Sequence, residues 1–129
     1  MEKGKVLGLS HLGLYIKDIE VSKKFYTEVL GFSVVCEVTN PDGARLCFMR
    51  KGSCELEIVQ HPVWMDRKDG IWDHVALQVE DIEAAKANLV ANGVPLEDDI
   101  GFAPNIYNGM KYLMFRGPDG EHLEFDQLL

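Results

Sequence analysis

Ser10-His11-Leu12-Gly13-Leu14-Tyr15-Ile16-Lys17-Asp18-Ile19-Glu20 returns, altered, as Asp73-His74-Val75-Ala76-Leu77-Gln78-Val79-Glu80-Asp81-Ile82-Glu83. The copies lie 63 residues apart, so His11 falls on His74, Leu14 on Leu77, Asp18 on Asp81 and Lys23 on Lys86. In each, apolar residues alternate and then give way to a capping Asp and a helical pattern, the mark of a strand running into a helix. A chain that carries one strand-helix unit twice reads as a duplicated module. Each copy places a His at the start of its strand, on the face opposite the apolar residues.

The remaining stretches extend the repeat. Val6 to Ile16 is the predicted first strand. Asp18 then caps a helix running to about Leu30, which buries Ile19, Phe25, Tyr26, Val29 and Leu30 and stops at Gly31. Phe32 to Thr39, Ala44 to Arg50 and Cys54 to Gln60 read as strands, joined by turns at Asn40-Pro41-Asp42-Gly43 and Lys51-Gly52-Ser53. His61 to Ile71 has no period and reads as a connection. The second round is a strand Trp72 to Val79, a helix Asp81 to Asn92 with Ile82, Ala85 and Leu89 inward, and Gly93 as its stop. A short strand Val94 to Glu97, a long loop Asp98 to Met110, a strand Lys111 to Arg116, a turn Gly117-Pro118-Asp119-Gly120 and a last strand Glu121 to Leu128 complete it. The order is β-α-β-β-β, twice. The predicted class is α+β: one domain over residues 1–129, with module one at about 6–60 and module two at about 72–128. The modules are expected to curl as half-barrels of a curved mixed sheet around a cleft.

With 47% hydrophobic residues in 129, the chain has material for a packed core. A net charge of −8 argues against nucleic acid and against anionic membrane surfaces as partners. No apolar run approaches bilayer-spanning length, and Met1-Glu2-Lys3-Gly4-Lys5 does not open a signal peptide, so a cytoplasmic location is expected. Cys36, Cys47 and Cys54 form no Cys-x-x-Cys pair and read as thiols in a reducing compartment.

The modules also match at their ends. Leu56-Glu57-Ile58-Val59-Gln60 falls on Leu123-Glu124-Phe125-Asp126-Gln127, 67 residues on. Each module thus opens on a His and closes on a Glu. His11, Glu57, His74 and Glu124 are the imidazoles and carboxylates that a divalent transition metal takes as ligands. Strands would hold them rigidly, and facing modules would bring them to one point. Glu55 shares a strand face with Glu57, and His122 and Asp126 share one with Glu124. The repeat register selects Glu57 and Glu124, because Glu55 falls on His122 rather than on a carboxylate. His122 is left either lining the pocket or solvated, and His61 is read as exposed. No Ser-His-Asp set, nucleophilic Cys or glycine-rich phosphate loop is supported.

At this point the chain resembles the vicinal oxygen chelate superfamily (the glyoxalase, bleomycin resistance and dioxygenase family), and within it the glyoxalase I type. The resemblance rests on His11-Leu12-Gly13-Leu14 with Asp18, and on Phe25-Tyr26-Thr27-Glu28-Val29-Leu30-Gly31-Phe32. It rests also on His74-Val75-Ala76-Leu77-Gln78-Val79 and on Gly117-Pro118-Asp119-Gly120-Glu121-His122-Leu123-Glu124-Phe125. It implies a paired-module fold, usually a homodimer, with a nickel, cobalt or zinc ion held by His11, Glu57, His74 and Glu124. The implied reaction isomerises a thiol adduct of a 2-oxoaldehyde to a thioester through an enediolate that the metal stabilises. Glu124 would carry the proton, with Glu57 its pseudo-symmetric alternative. The bacterial type often has an Arg four residues after the first His, where it holds a carboxylate of glutathione. Tyr15 stands there, and a phenol is no substitute for a guanidinium. Another thiol adduct or another oxygen-chelating substrate gains weight accordingly. The same resemblance admits an epimerase, or an extradiol dioxygenase with iron on His11, His74 and Glu124, against which Glu57 as a fourth ligand argues. It also admits a non-enzymatic drug-binding resistance protein, against which the ligand set argues. The 98–110 loop is read either as a pocket wall or lid or as plain surface.

Overall fold

A computed structural model describes residues 4, 7, 9–66, 68–70, 72–104 and 106–129. Its elements are β1 (Leu12–Tyr15), α1 (Ile19–Lys24) continuing into a π-helical turn (Phe25–Val29), β2 (Ser33–Thr39), β3 (Arg45–Lys51) and β4 (Cys54–Gln60). The second round is β5 (Val75–Gln78), α2 (Ile82–Ala91), β6 (Gly101–Ala103), β7 (Met110–Arg116) and β8 (His122–Leu128). Two open four-stranded mixed sheets result, in the orders β1-β4-β3-β2 and β5-β8-β7-β6. The first strand of each module runs parallel to the last, with Leu12 opposite Leu56 and Val75 opposite Leu123. The fold is α+β, as the repeat predicts.

Two expectations change. The opening strands are shorter than Val6–Ile16 and Trp72–Val79, each beginning one residue after its His. Leu7 and Leu9 stand exposed ahead of β1; Val6 and Gly8, like Arg67, Ile71 and Asn105, lie outside the described residues. Val94–Glu97 is not a strand but a single bridge, Leu96 to Phe115. The edge strand of module two is instead β6, inside the stretch expected to be loop, with Gly101 opposite Tyr112. Gly101 suits the place, since a Cβ there would run into the Tyr112 ring. A glycine read as a loop marker marks a close approach of backbone to a ring.

Each helix is stitched in the same way. The Asp18 carboxylate accepts from the backbone N–H of Glu20 and Val21, and Asp81 accepts from Glu83 and Ala84. The first helical N–H is taken by an amide from the module's last strand: Ile19 N–H donates to Gln60 Oε1 at 2.7 Å, and Ile82 N–H to Gln127 Oε1 at 2.9 Å. That contact explains the Gln shared at the module ends. It satisfies an orphan donor and ties helix start to strand end. The π turn also has a local cause. Thr27 Oγ1 donates to the Lys23 carbonyl at 2.8 Å, competing with the backbone, and Leu30 N–H reaches back to Phe25 O.

The helices cover one face of each sheet. There Ile16, Ile19, Tyr26, Cys47, Met49, Leu56 and Ile58 of module one form a core with Ile82, Leu89, Leu113, Phe115, Leu123 and Phe125 of module two. Burial pushes the Cys47 thiol up to about 11, so it is inert packing. Cys36, Cys47 and Cys54 are all free thiols, and no described helix is long and apolar enough to cross a membrane.

The modules are also joined by polar contacts. The Gly117–Gly120 turn of module two sits on α1 of module one. Lys17 N–H donates to Asp119 Oδ2 at 2.8 Å, and the buried Tyr26 hydroxyl donates to Glu121 Oε2 at 3.0 Å. Asn88 Nδ2 donates to the Val29 carbonyl. Burial pushes the Glu121 carboxyl above its ordinary range; its bonds from Tyr26 and the Asp119 N–H pull the other way but do not offset it. The folded state therefore holds this proton more tightly than the unfolded chain. Glu121 contributes stability below the ordinary carboxylate pKa, and that contribution is lost as pH rises through the raised value. Glu121→Gln is expected to gain on the wild type as pH rises from 4 to 7, measured by urea unfolding at both pH values. A difference that stays flat would remove Glu121 as the source.

Candidate metal centre

The open face of module one carries alternate residues of its strands: Gly13 and Tyr15 on β1, Glu55 and Glu57 on β4, Phe48 and Arg50 on β3. His11 leads into β1. Its Nε2 lies 3.5 Å from Glu57 Oε1, and its ring meets Phe48 edge-on. Module two repeats the arrangement, with His74 Nε2 3.2 Å from Glu124 Oε2. In both pairs the Nε2 atom faces the carboxylate while Nδ1 is engaged by the residue before: Ser10 Oγ at 3.4 Å from His11 Nδ1, Asp73 Oδ2 at 2.9 Å from His74 Nδ1. Anchoring one ring nitrogen so that the other is presented is how proteins prepare a histidine ligand. The donor set, neutral imidazole with carboxylate, suits a borderline divalent ion. The residues therefore fit a metal.

The halves differ in burial. The Glu124 side chain is 11% exposed and the Glu57 side chain 19%. Burial pushes the Glu124 carboxyl above its ordinary range, more than the neighbouring His74 pulls it down. The two pairs do not merge within one chain. Among the described residues, the donors gathered within 4.8 Å of one another are Asp73, His74 and His122, a group that includes neither His11 nor Glu57.

The rival residues have other engagements. Glu55 accepts from Arg50 Nε and Nη2. His122 packs edge-on to His74, with Nε2 3.1 Å from Glu97 Oε2 and the buried Nδ1 3.3 Å from Asp73 Oδ2. Among the described residues that Nδ1 makes no hydrogen bond, so the bond between Asp73 and His74 Nδ1 is not relayed through His122. Sequence spacing did not single out Asp73 or Ser10; their signal was only that each precedes its module's His. Asp126 is half-buried on β8, and burial pushes its carboxyl up. His61, exposed, stacks on Tyr15 at 4.9 Å between ring centres. Those two rings, with Val63, Trp64 and Met65, line a cavity of about 310 Å³. The place where an Arg would hold a carboxylate is thus an aromatic wall. In the 98–110 stretch, Phe102 on β6 and Tyr107 beyond it are exposed.

Comparison with known proteins agrees with this fold. The chain is 34% identical over 125 residues to YwbC of Bacillus subtilis (strain 168), covering 92% of this chain and 96% of that one. It is 31% identical over 91 residues to the mitochondrial methylmalonyl-CoA epimerase of Mus musculus, covering 63% of this chain and 51% of that protein. Among solved structures, SMU.1112c superposes with a TM-score of 0.79 at 28% identity, over 95% of this chain and 99% of that one. The trypanothione-dependent glyoxalase I of Leishmania major does so with a TM-score of 0.74 at 27% identity, over 89% and 82%. The profile of one family matches residues 8–125, and the chain belongs to that family, the Glyoxalase/Bleomycin resistance protein/Dioxygenase superfamily.

Proposed function

We propose that this chain is a metal-dependent, glyoxalase I-like lyase that moves a proton between adjacent carbons of a thiol adduct of a 2-oxoaldehyde. The observation that carries the reading is the His–Glu pair built twice with the same atoms: Nε2 toward the carboxylate, Nδ1 braced from behind. His11, Glu57, His74 and Glu124 would hold nickel or cobalt, with zinc a further option. Such an ion supplies Lewis-acid stabilisation of charge developing on substrate oxygens. Glu124 takes the proton from one carbon and returns it to the next, with Glu57 the alternative. Its greater burial supports the choice, since a poorly solvated carboxylate is a stronger base. The test is thioester formation from methylglyoxal with several thiols, after loading nickel, cobalt or zinc. Absence of product with every thiol and metal would reject the reading.

A second reading is an epimerase acting on a thioester of a larger thiol. It is favoured by the similarity to methylmalonyl-CoA epimerase and by the aromatic wall at Tyr15. The chemistry differs only in where the proton returns.

The working unit is a homodimer in the cytosol. One chain keeps its two pairs apart, and β1 and β5 each lie at a sheet edge beside their pair. A second copy would bring module one of one chain against module two of the other. Mixing two inactive variants, His11→Ala/Glu57→Ala and His74→Ala/Glu124→Ala, is then expected to restore about a quarter of the wild-type sites, by random exchange in a two-fold dimer. Activity that stays at zero after exchange, shown complete by mass, would place all four ligands in one chain.

A further inference from the structure

The repeat extends beyond the His–Glu pairs to an arginine. Leu12 lies opposite Leu56, which sets His11 level with Glu55, and Glu55 lies opposite Arg50. Val75 lies opposite Leu123, which sets His74 level with His122, and His122 lies opposite Arg116. Each module therefore runs a row across its open face: histidine, one residue, arginine. Neighbouring strands are ~4.8 Å apart, so each arginine stands about 10 Å along the sheet from its histidine.

The two arginines are used differently. Arg116 is enclosed. Its Nη1 and Nη2 donate to the two oxygens of Asp69, its Nε to Glu97 and its Nη1 also to the Gly120 carbonyl. Among the described residues Arg50 meets only Glu55, through Nε and Nη2 onto one oxygen, and its side chain is 54% exposed against 31% for Arg116. A guanidinium has five N–H donors in a fixed fork, so the remaining Arg50 donors have no partner among the described residues. Glu55 orients this fork without filling it.

We propose that Arg50 is the anion anchor for the substrate. It takes a carboxylate or phosphate carried on the far part of the thiol, while the reacting carbons lie at the His11 end of the row. This rests on the reading of His11 and Glu57 as half of the reaction centre. A planar two-pronged donor suits either anion. The row length requires the charge to sit well away from the sulfur, so a small uncharged thiol would bind poorly.

The test needs no turnover. Nickel-loaded protein is titrated calorimetrically with S-methylglutathione, which carries carboxylates, with S-methyl-coenzyme A, which carries phosphates, and with uncharged 2-(methylthio)ethanol. The wild type is expected to bind one of the two anionic thioethers, and which one identifies the anion. Arg50→Gln is expected to weaken that binding at least tenfold, Arg50→Lys to restore it in part, and Arg45→Gln, a control on an unrelated ion pair with Glu20, to match the wild type. Should Arg50→Gln fail to fold, Arg50→Lys carries the comparison through its loss of the fork. Wild-type affinity in Arg50→Gln, or no preference for either anionic thioether in the wild type, would overturn the anchor. Binding that depends on Arg50 in a protein that makes no thioester would keep the anchor and reject the lyase.

Discussion

Replacing Glu124 by Gln is expected to cut thioester formation by about 10²–10⁴-fold, the usual range for loss of a positioned general base. Gln keeps the volume and one oxygen, so packing of a side chain only 11% exposed is preserved while the basic site is lost. Metal affinity should fall as well, since one charged ligand becomes neutral. The assay is turnover at saturating metal, with a separate calorimetric titration of the metal. Unchanged turnover would take Glu124 out of proton transfer. An equal loss in Glu57→Gln would make the two carboxylates equivalent and show that the burial difference does not select between them.

Phe115→Ala should give the largest loss of stability, about 3–5 kcal/mol. Phe115 is fully buried, packs at 4.6 Å between ring centres on Phe125, lies opposite Leu123 and receives the bridge from Leu96. For a chain of this size such a loss lowers the melting temperature by roughly 10–20 °C, measured by circular dichroism. The same strand presents Met114 and Arg116 on its open face, so the Asp69 and Glu97 contacts of Arg116 should loosen too. A shift below a few degrees would mean that module two collapses around the gap.

The sequence displayed the repeat because duplicated strands keep their period, and with it the approach of His11 to Glu57 and of His74 to Glu124. It could not show whether one chain closes the site, because that depends on how two separate sheets are docked. The Gly117–Gly120 turn illustrates the limit. Its residues specify a turn, and nothing local says that Asp119 and Glu121 reach across to Lys17 and Tyr26. β6 escaped detection for a related reason: three residues with a glycine under a ring carry too little alternation to be seen. Arg50 and Arg116 look alike as strand residues, and only their partners separate a saturated cation from an available one.

The paired glutamines bear on how such a chain could arise. Gln60 and Gln127 each close a loop wholly inside one half, binding the start of a helix to the end of the strand that finishes the same half. A gene half as long would already encode its own cap, its own clasp and its own His–Glu pair, lacking only a companion. Fusing two such genes would leave that clasp untouched and free the twins to specialise, one arginine locked into the scaffold and the other left facing whatever arrives.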